Sequence, residues 1–122
     1  YLLGVEAAHT CLDVLVNDEG INYLEEIGYY TRECLSQVFS GTEYKVNIVG
    51  EGPLFHVYFT NIQVRNNTDV KNCDWVISDR LHQLLFESGI YKPSVKGYLS
   101  IVHKKEHINQ LCETISQAIK IL

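Results

Sequence analysis

Apolar residues recur at helical spacing from the start of the chain. Val5, Ala8, Leu12 and Leu15, with Cys11 beside them, predict an amphipathic helix from about Leu3 to Val16. Asn17-Asp18-Glu19-Gly20 then supplies turn and capping residues. A second stripe, Ile21, Leu24, Ile27, Cys34, Leu35 and Val38, predicts a helix reaching about Phe39, where Ser40-Gly41-Thr42 ends it. Tyr44 to Val49 and Leu54 to Phe59 are rich in β-branched and aromatic residues and flank Gly50-Glu51-Gly52-Pro53. That pattern predicts two antiparallel strands joined by a short glycine loop. The polar stretch Gln63 to Lys71 predicts a surface loop. Ile77, Leu81, Leu84 and Leu85 then share one face of a helix expected from about Cys73 to Ser88, with Gly89 placed for a left-handed C-terminal residue. Ile90-Tyr91-Lys92-Pro93 leads out of it, and Gly97 to Val102 predicts a third strand. Ile108, Leu111, Cys112, Ile115, Ala118, Ile119 and Leu122 form the apolar face of the last helix.

The order ααββαβα implies an α+β domain: a small, three-stranded, mainly antiparallel sheet with helices on one face. A length of 122 residues suffices for one such unit and not for two. With 46% hydrophobic and 20% charged residues, the composition is that of an ordinary globular protein and not of a disordered one. No unbroken apolar run is long enough to span a bilayer, and the N-terminus lacks the features of a signal peptide, so a cytoplasmic location without membrane contact is expected. The formal net charge of −5 leaves Lys104-Lys105 as the one local basic cluster, which argues against a nucleic-acid partner. The chain contains no Met, so either a start residue was removed or it is a piece of something longer, and the abrupt start within its first helix is read as a severed connection to a larger domain.

Sequence chemistry alone gives little. Cys11, Cys34, Cys73 and Cys112 form no C-x-x-C pair, and three of them fall on apolar faces, as reduced structural thiols do. His103 and His107 stand four apart but have no intervening general-base glutamate and no third ligand at fixed spacing, so surface histidines are expected and no metal site. Asp18-Glu19 and Glu25-Glu26 fit a helix start and a solvated helix face. Gly50-Glu51-Gly52 opens a strand, not a helix, and is a hairpin connection without phosphate-binding geometry. Asn66-Asn67-Thr68 matches a glycosylation sequon, taken as a chance match in a polar loop.

Longer stretches carry more. Gly52-Pro53-Leu54-Phe55, Tyr58-Phe59-Thr60, the segment from Val64 to Ser94 with Cys73-Asp74 and Gly89-Ile90-Tyr91-Lys92-Pro93-Ser94, and Leu99-Ser100-Ile101-Val102-His103 run collinear with motifs of one family. Gly4-Val5-Glu6-Ala7-Ala8 and Leu12-Asp13-Val14-Leu15 extend the match toward the N-terminus. On these residues the chain resembles the C-terminal small domain of class III, pyridoxal-phosphate-dependent aminotransferases of the glutamate-1-semialdehyde aminomutase branch.

The resemblance implies residues 1–40 as a helical connection to a missing large domain, and 41–122 as the C-terminal α+β small domain. It implies pyridoxal phosphate for the intact parent and no cofactor for this chain alone, because the family's catalytic lysine and the aspartate facing the pyridinium nitrogen would both precede Tyr1. No catalytic residue is therefore assigned here. Two departures bear on the site. Val95 takes the place of the aminomutase glutamate, and Lys104 replaces the threonine cap of the last helix. Lys96 falls where many class III transaminases carry a carboxylate-binding arginine, which marks it as a candidate substrate-binding residue. The implied function is a fragment that shapes the substrate end of the active site and is inactive alone. Its implied partner is the missing large domain, with self-association through the first helix as a consequence of its absence. The alternative is a stand-alone, non-catalytic α+β interaction module.

Overall fold

The computed structural model describes residues 1–17 and 19–122. Its elements are α1 (Leu2–Asn17), α2 (Gly20–Phe39), β1 (Val46–Val49), β2 (Leu54–Phe59), α3 (Asn67–Lys71), α4 (Trp75–Glu87), β3 (Gly97–Tyr98) and α5 (Lys105–Ala118), followed by a 3-10 turn, Ile119–Ile121. Asp18, half of one expected carboxylate pair, lies outside the described residues.

The three strands form one antiparallel sheet in the order β1-β2-β3, so the α+β architecture stands. Val46 faces Phe59 and Val49 faces His56 across the hairpin. Phe55, Val57 and Phe59 point from β2 into a core completed by Ile27 and Leu35 of α2, Leu81 and Leu85 of α4, and Ile108 and Ile115 of α5. On α2 the core-facing row is Ile27, Thr31, Leu35 and Phe39, each one helical turn from the next. Thr31 enters this row because its hydroxyl donates to the Ile27 carbonyl at 2.7 Å and so arrives in the core already satisfied. Ile21, expected in the same stripe, is half exposed.

Helices α2 and α5 lie side by side in register. Tyr23 donates to the His103 carbonyl and Tyr30 to Asn109 Oδ1, both at 2.6 Å. The nearly constant sequence offset means that the two helices run parallel. One turn further on, the Cys34 and Cys112 thiols meet, and burial together with Cys34 pushes the Cys112 thiol up. All four cysteines are free, but Cys11 is exposed rather than packed on an apolar face, because α1 buries none of its residues.

Three expectations need correction. The polar stretch Gln63 to Lys71 contains the short helix α3, started by Asn66, whose Oδ1 accepts from the backbone of Thr68 and Asp69 at 2.9 and 3.1 Å. The order is therefore ααββααβα. The third strand ends at Tyr98 instead of Val102. Its partner β2 begins at Leu54, Leu99 still donates to the Pro53 carbonyl at 3.0 Å, and beyond Pro53 the hairpin loop turns away and offers no ladder. Finally, α5 is better started than Lys104 suggested. His107 Nδ1 accepts the Lys104 backbone N–H at 3.0 Å, which supplies half of a capping box from the third helical position.

Among the described residues no helix is long and apolar enough to cross a membrane. Gly89 has φ +80° and closes α4 as expected, its N–H donating to the Phe86 carbonyl at 3.0 Å.

Candidate functional site

Alternation along β2 sends His56 and Tyr58 to the face opposite Phe55, Val57 and Phe59. Both are buried, and Trp75 at the start of α4 lies against them with ring centroids 6.4 Å from His56 and 6.2 Å from Tyr58. The Asp74 side chain caps α4 by accepting from Ile77, while the Asp74 N–H donates to the Phe59 carbonyl at 2.9 Å. These two bonds fix the helix start to the end of the strand. One side of α4 thus feeds the core through Leu81 and Leu85, and His82 is carried toward His56.

The chain leaving α4 completes the cluster. Lys92 Nζ lies 3.0 Å from His82 Nε2 and donates to the Pro93 carbonyl at 2.8 Å. Burial lowers its pKa to about 8. Burial also lowers that of His82, with Lys92 adding to the effect and Asp79 opposing it. His56 is 2% exposed, and its pKa falls to about 4, first through burial and then through the positive fields of Lys92, His82 and Lys96. Neither ring nitrogen of His56 meets a hydrogen-bonding group of the protein, and neither does His82 Nδ1.

Lys96, the residue singled out in the sequence, is exposed and immediately precedes β3, whose Gly97 pairs with Phe55. It therefore stands at the rim of the cluster. Beside the same segment is a cavity of about 400 Å³, bordered by Phe55, Tyr91, Lys92, Tyr98, Leu99 and Ile108.

The remaining candidates do not assemble. The rings of His103 and His107 are 6.2 Å apart and perpendicular, but their Nδ1 atoms already accept from the backbone of Ser100 and Lys104. His103 closes a turn, its N–H donating to the Ser100 carbonyl at 3.0 Å, and is not at a strand end, since β3 stops five residues earlier at Tyr98. No group of three or more His, Cys, Asp or Glu that could hold a metal occurs among the described residues. Glu19, Glu25 and Glu26 are exposed. The glycine loop at Gly50 to Gly52 is clamped by Arg32, whose Nη1 donates to the carbonyls of Gly52 and Leu54 at 2.8 and 2.9 Å.

Do these residues suit pyridoxal phosphate? Such a group needs a lysine to carry it and a carboxylate opposite the pyridinium nitrogen. The half-buried lysine, Lys92, has histidines and another lysine around it, and no carboxylate is buried among the described residues. The cluster does not fit the cofactor.

No protein-family model matches the chain. It is 28% identical over 101 residues to a glutamate-1-semialdehyde 2,1-aminomutase from Methanobrevibacter smithii, covering 80% of this chain and 24% of the relative. The aminomutase of Methanothermobacter thermautotrophicus is also 28% identical, over 99 residues. The chain thus spans about a quarter of the length of the curated relatives it matches. Its fold matches part of a glutamate-1-semialdehyde aminomutase from Pseudomonas aeruginosa, with a TM-score of 0.75 at 10% identity over 84% of this chain and 23% of the other. It also matches part of an omega-transaminase from Sphaerobacter thermophilus, with a TM-score of 0.70 at 18% identity over 82% and 24% of the two chains. The resemblance read from the motifs is therefore present over most of the chain, and the partial coverage fits a piece of such an enzyme.

Proposed function

We propose that this chain, similar as it is to one part of the glutamate-1-semialdehyde aminomutases, is the C-terminal small domain of a class III, pyridoxal-phosphate-dependent aminotransferase or aminomutase. Its role there is to shape the substrate end of the active site, and it is inactive alone. The observation that carries this reading is the sequence likeness over four-fifths of the chain, confined to a quarter of the relatives. The poor fit of the Lys92 cluster to the cofactor supports the same division of labour, in which the groups that hold pyridoxal phosphate come from elsewhere in a longer protein. Residues 1–40 then form the helical connection to a large domain, with α2 as the part fixed to the core, and residues 41–122 form the small domain.

Within that protein Lys96 binds a substrate carboxylate. It is exposed at the rim of a positively charged cluster, as such a role requires. A lysine would act as a point charge, without the two-pronged geometry of arginine. The test is kinetic, in the longer protein. Lys96→Ala should raise KM for a dicarboxylic or keto-acid substrate about tenfold, the loss of one charge-assisted hydrogen bond, and leave kcat little changed. A substrate lacking that carboxylate should be unaffected. Equal effects on both substrates, or none on either, would return Lys96 to ordinary surface charge.

A further inference from the structure

The face of β2 covered by Trp75 carries more hydrogen-bond donors than the protein supplies acceptors. An ammonium has no lone pair, so with Lys92 charged His82 Nε2 must accept, and the ring hydrogen then sits on Nδ1, an atom buried without a protein partner. A neutral His56 ring presents one donor and one acceptor, both buried and unmatched. Two of the three Lys92 hydrogens are directed at His82 and Pro93, which leaves a third. Charge is unbalanced in the same direction. Among the described residues no carboxylate lies within 4.0 Å of Lys92, and the field of Asp79 reaches His82. Buried polar groups in folded proteins nearly always find partners, so two buried imidazole donors without one, beside an ammonium with a hydrogen to spare, call for an acceptor that bears negative charge.

We propose that His56, His82 and Lys92 form a binding site for a small carboxylate, entered past the side chains of Lys92 and Lys96. One carboxylate oxygen accepts from Lys92 Nζ and the other from an imidazole N–H, so that the bonds are charge-assisted. A metal ion is the wrong occupant, because the ammonium would repel it and the cluster supplies two imidazoles alone. The 400 Å³ cavity is bordered by Lys92 but by neither His56 nor His82, so it is not the site itself, and the donor pair matches the two oxygens of a carboxylate. The site is built wholly from residues of this chain, so it does not rest on the enzyme reading, and the failure of either leaves the other standing.

Nuclear magnetic resonance of the 15N-labelled 122-residue chain tests the proposal through the ring signals of His56 and His82 near pH 6.5. Sodium acetate, sodium phosphate and sodium chloride are each added at constant ionic strength. Acetate should move both rings saturably and raise the His56 pKa, because a bound anion favours the imidazolium. Lys92→Gln, which keeps the length of the stem, should weaken acetate binding at least tenfold, and Lys120→Ala should leave it unchanged. If Lys92→Gln does not fold, His56→Phe replaces it with the same expected loss, read from His82. Three results would overturn the site: rings that ignore acetate, rings that respond equally to chloride, or tighter binding of phosphate than of acetate. A high-resolution crystal structure grown in acetate, with His56 bonded to an interior water only, would overturn it too.

Discussion

Gly28 is the position where α2 touches the hairpin loop. It is buried, and a Cβ built there overlaps the carbonyl of Gly52, the same oxygen that accepts Arg32 Nη1 at 2.8 Å. In an exposed helix interior Gly→Ala gains about 1 kcal/mol. Here the obstacle is backbone on both sides, so the loop must move, at an overpacking cost of about 1–3 kcal/mol. The movement also weakens the Arg32 clamp, whose charge-assisted hydrogen bonds are each worth roughly 1.5–3 kcal/mol. The balance is a net loss of about 2 kcal/mol, and for a domain of this size that lowers Tm by about 6–10 °C. Thermal unfolding of Gly28→Ala, followed by circular dichroism beside Gln37→Ala at an exposed position of the same helix, measures it. Arg32→Ala should cost less in the Gly28→Ala background than alone, since both changes loosen one contact. A Gly28→Ala chain as stable as the parent would refute the close approach.

Two further outcomes follow from burial. The His56 pKa is lowered from 6.5 to about 4 in the folded chain, so between these values the unfolded state binds more protons and stability must fall as pH falls. The loss is up to about 3 kcal/mol, complete near pH 4, and His56→Leu should flatten this slope in urea unfolding measured from pH 7 to 4. Helix α1 exposes Leu2, Leu3, Val5, Leu12 and Val16, so the chain should self-associate at high concentration, and a chain beginning at Glu19 should not. Sedimentation equilibrium distinguishes them, and a strictly monomeric full chain would contradict the expectation.

How legible each part was depended on how local its determinants are. The stripe from Ile77 to Leu85 and the aromatic run from Leu54 to Phe59 show their faces within a few residues, and α4 and β2 appear where those stripes predict. α3 has five residues, too few to express a period, and its one signal was Asn66 as a cap. The sequence 97–102 has strand composition throughout, but its length in the sheet is set by where β2 begins, a fact about pairing and not about residues 99–102. The site was less legible still. Lys96 was singled out through family resemblance, whereas His56, His82 and Lys92 come from β2, α4 and the segment after it, and only packing brings them together. One local hint existed, an imidazole within the otherwise apolar and aromatic run Leu54 to Phe59.

The coding sequence upstream of Tyr1 tests most directly whether this chain is, as proposed, the C-terminal small domain of a longer pyridoxal-phosphate enzyme. An open frame continuous with Tyr1 is expected for roughly two and a half times the length of this chain, the share of the relatives left unmatched, encoding a large domain that carries the lysine for the cofactor. A stop codon and a start codon immediately before Tyr1 would contradict it.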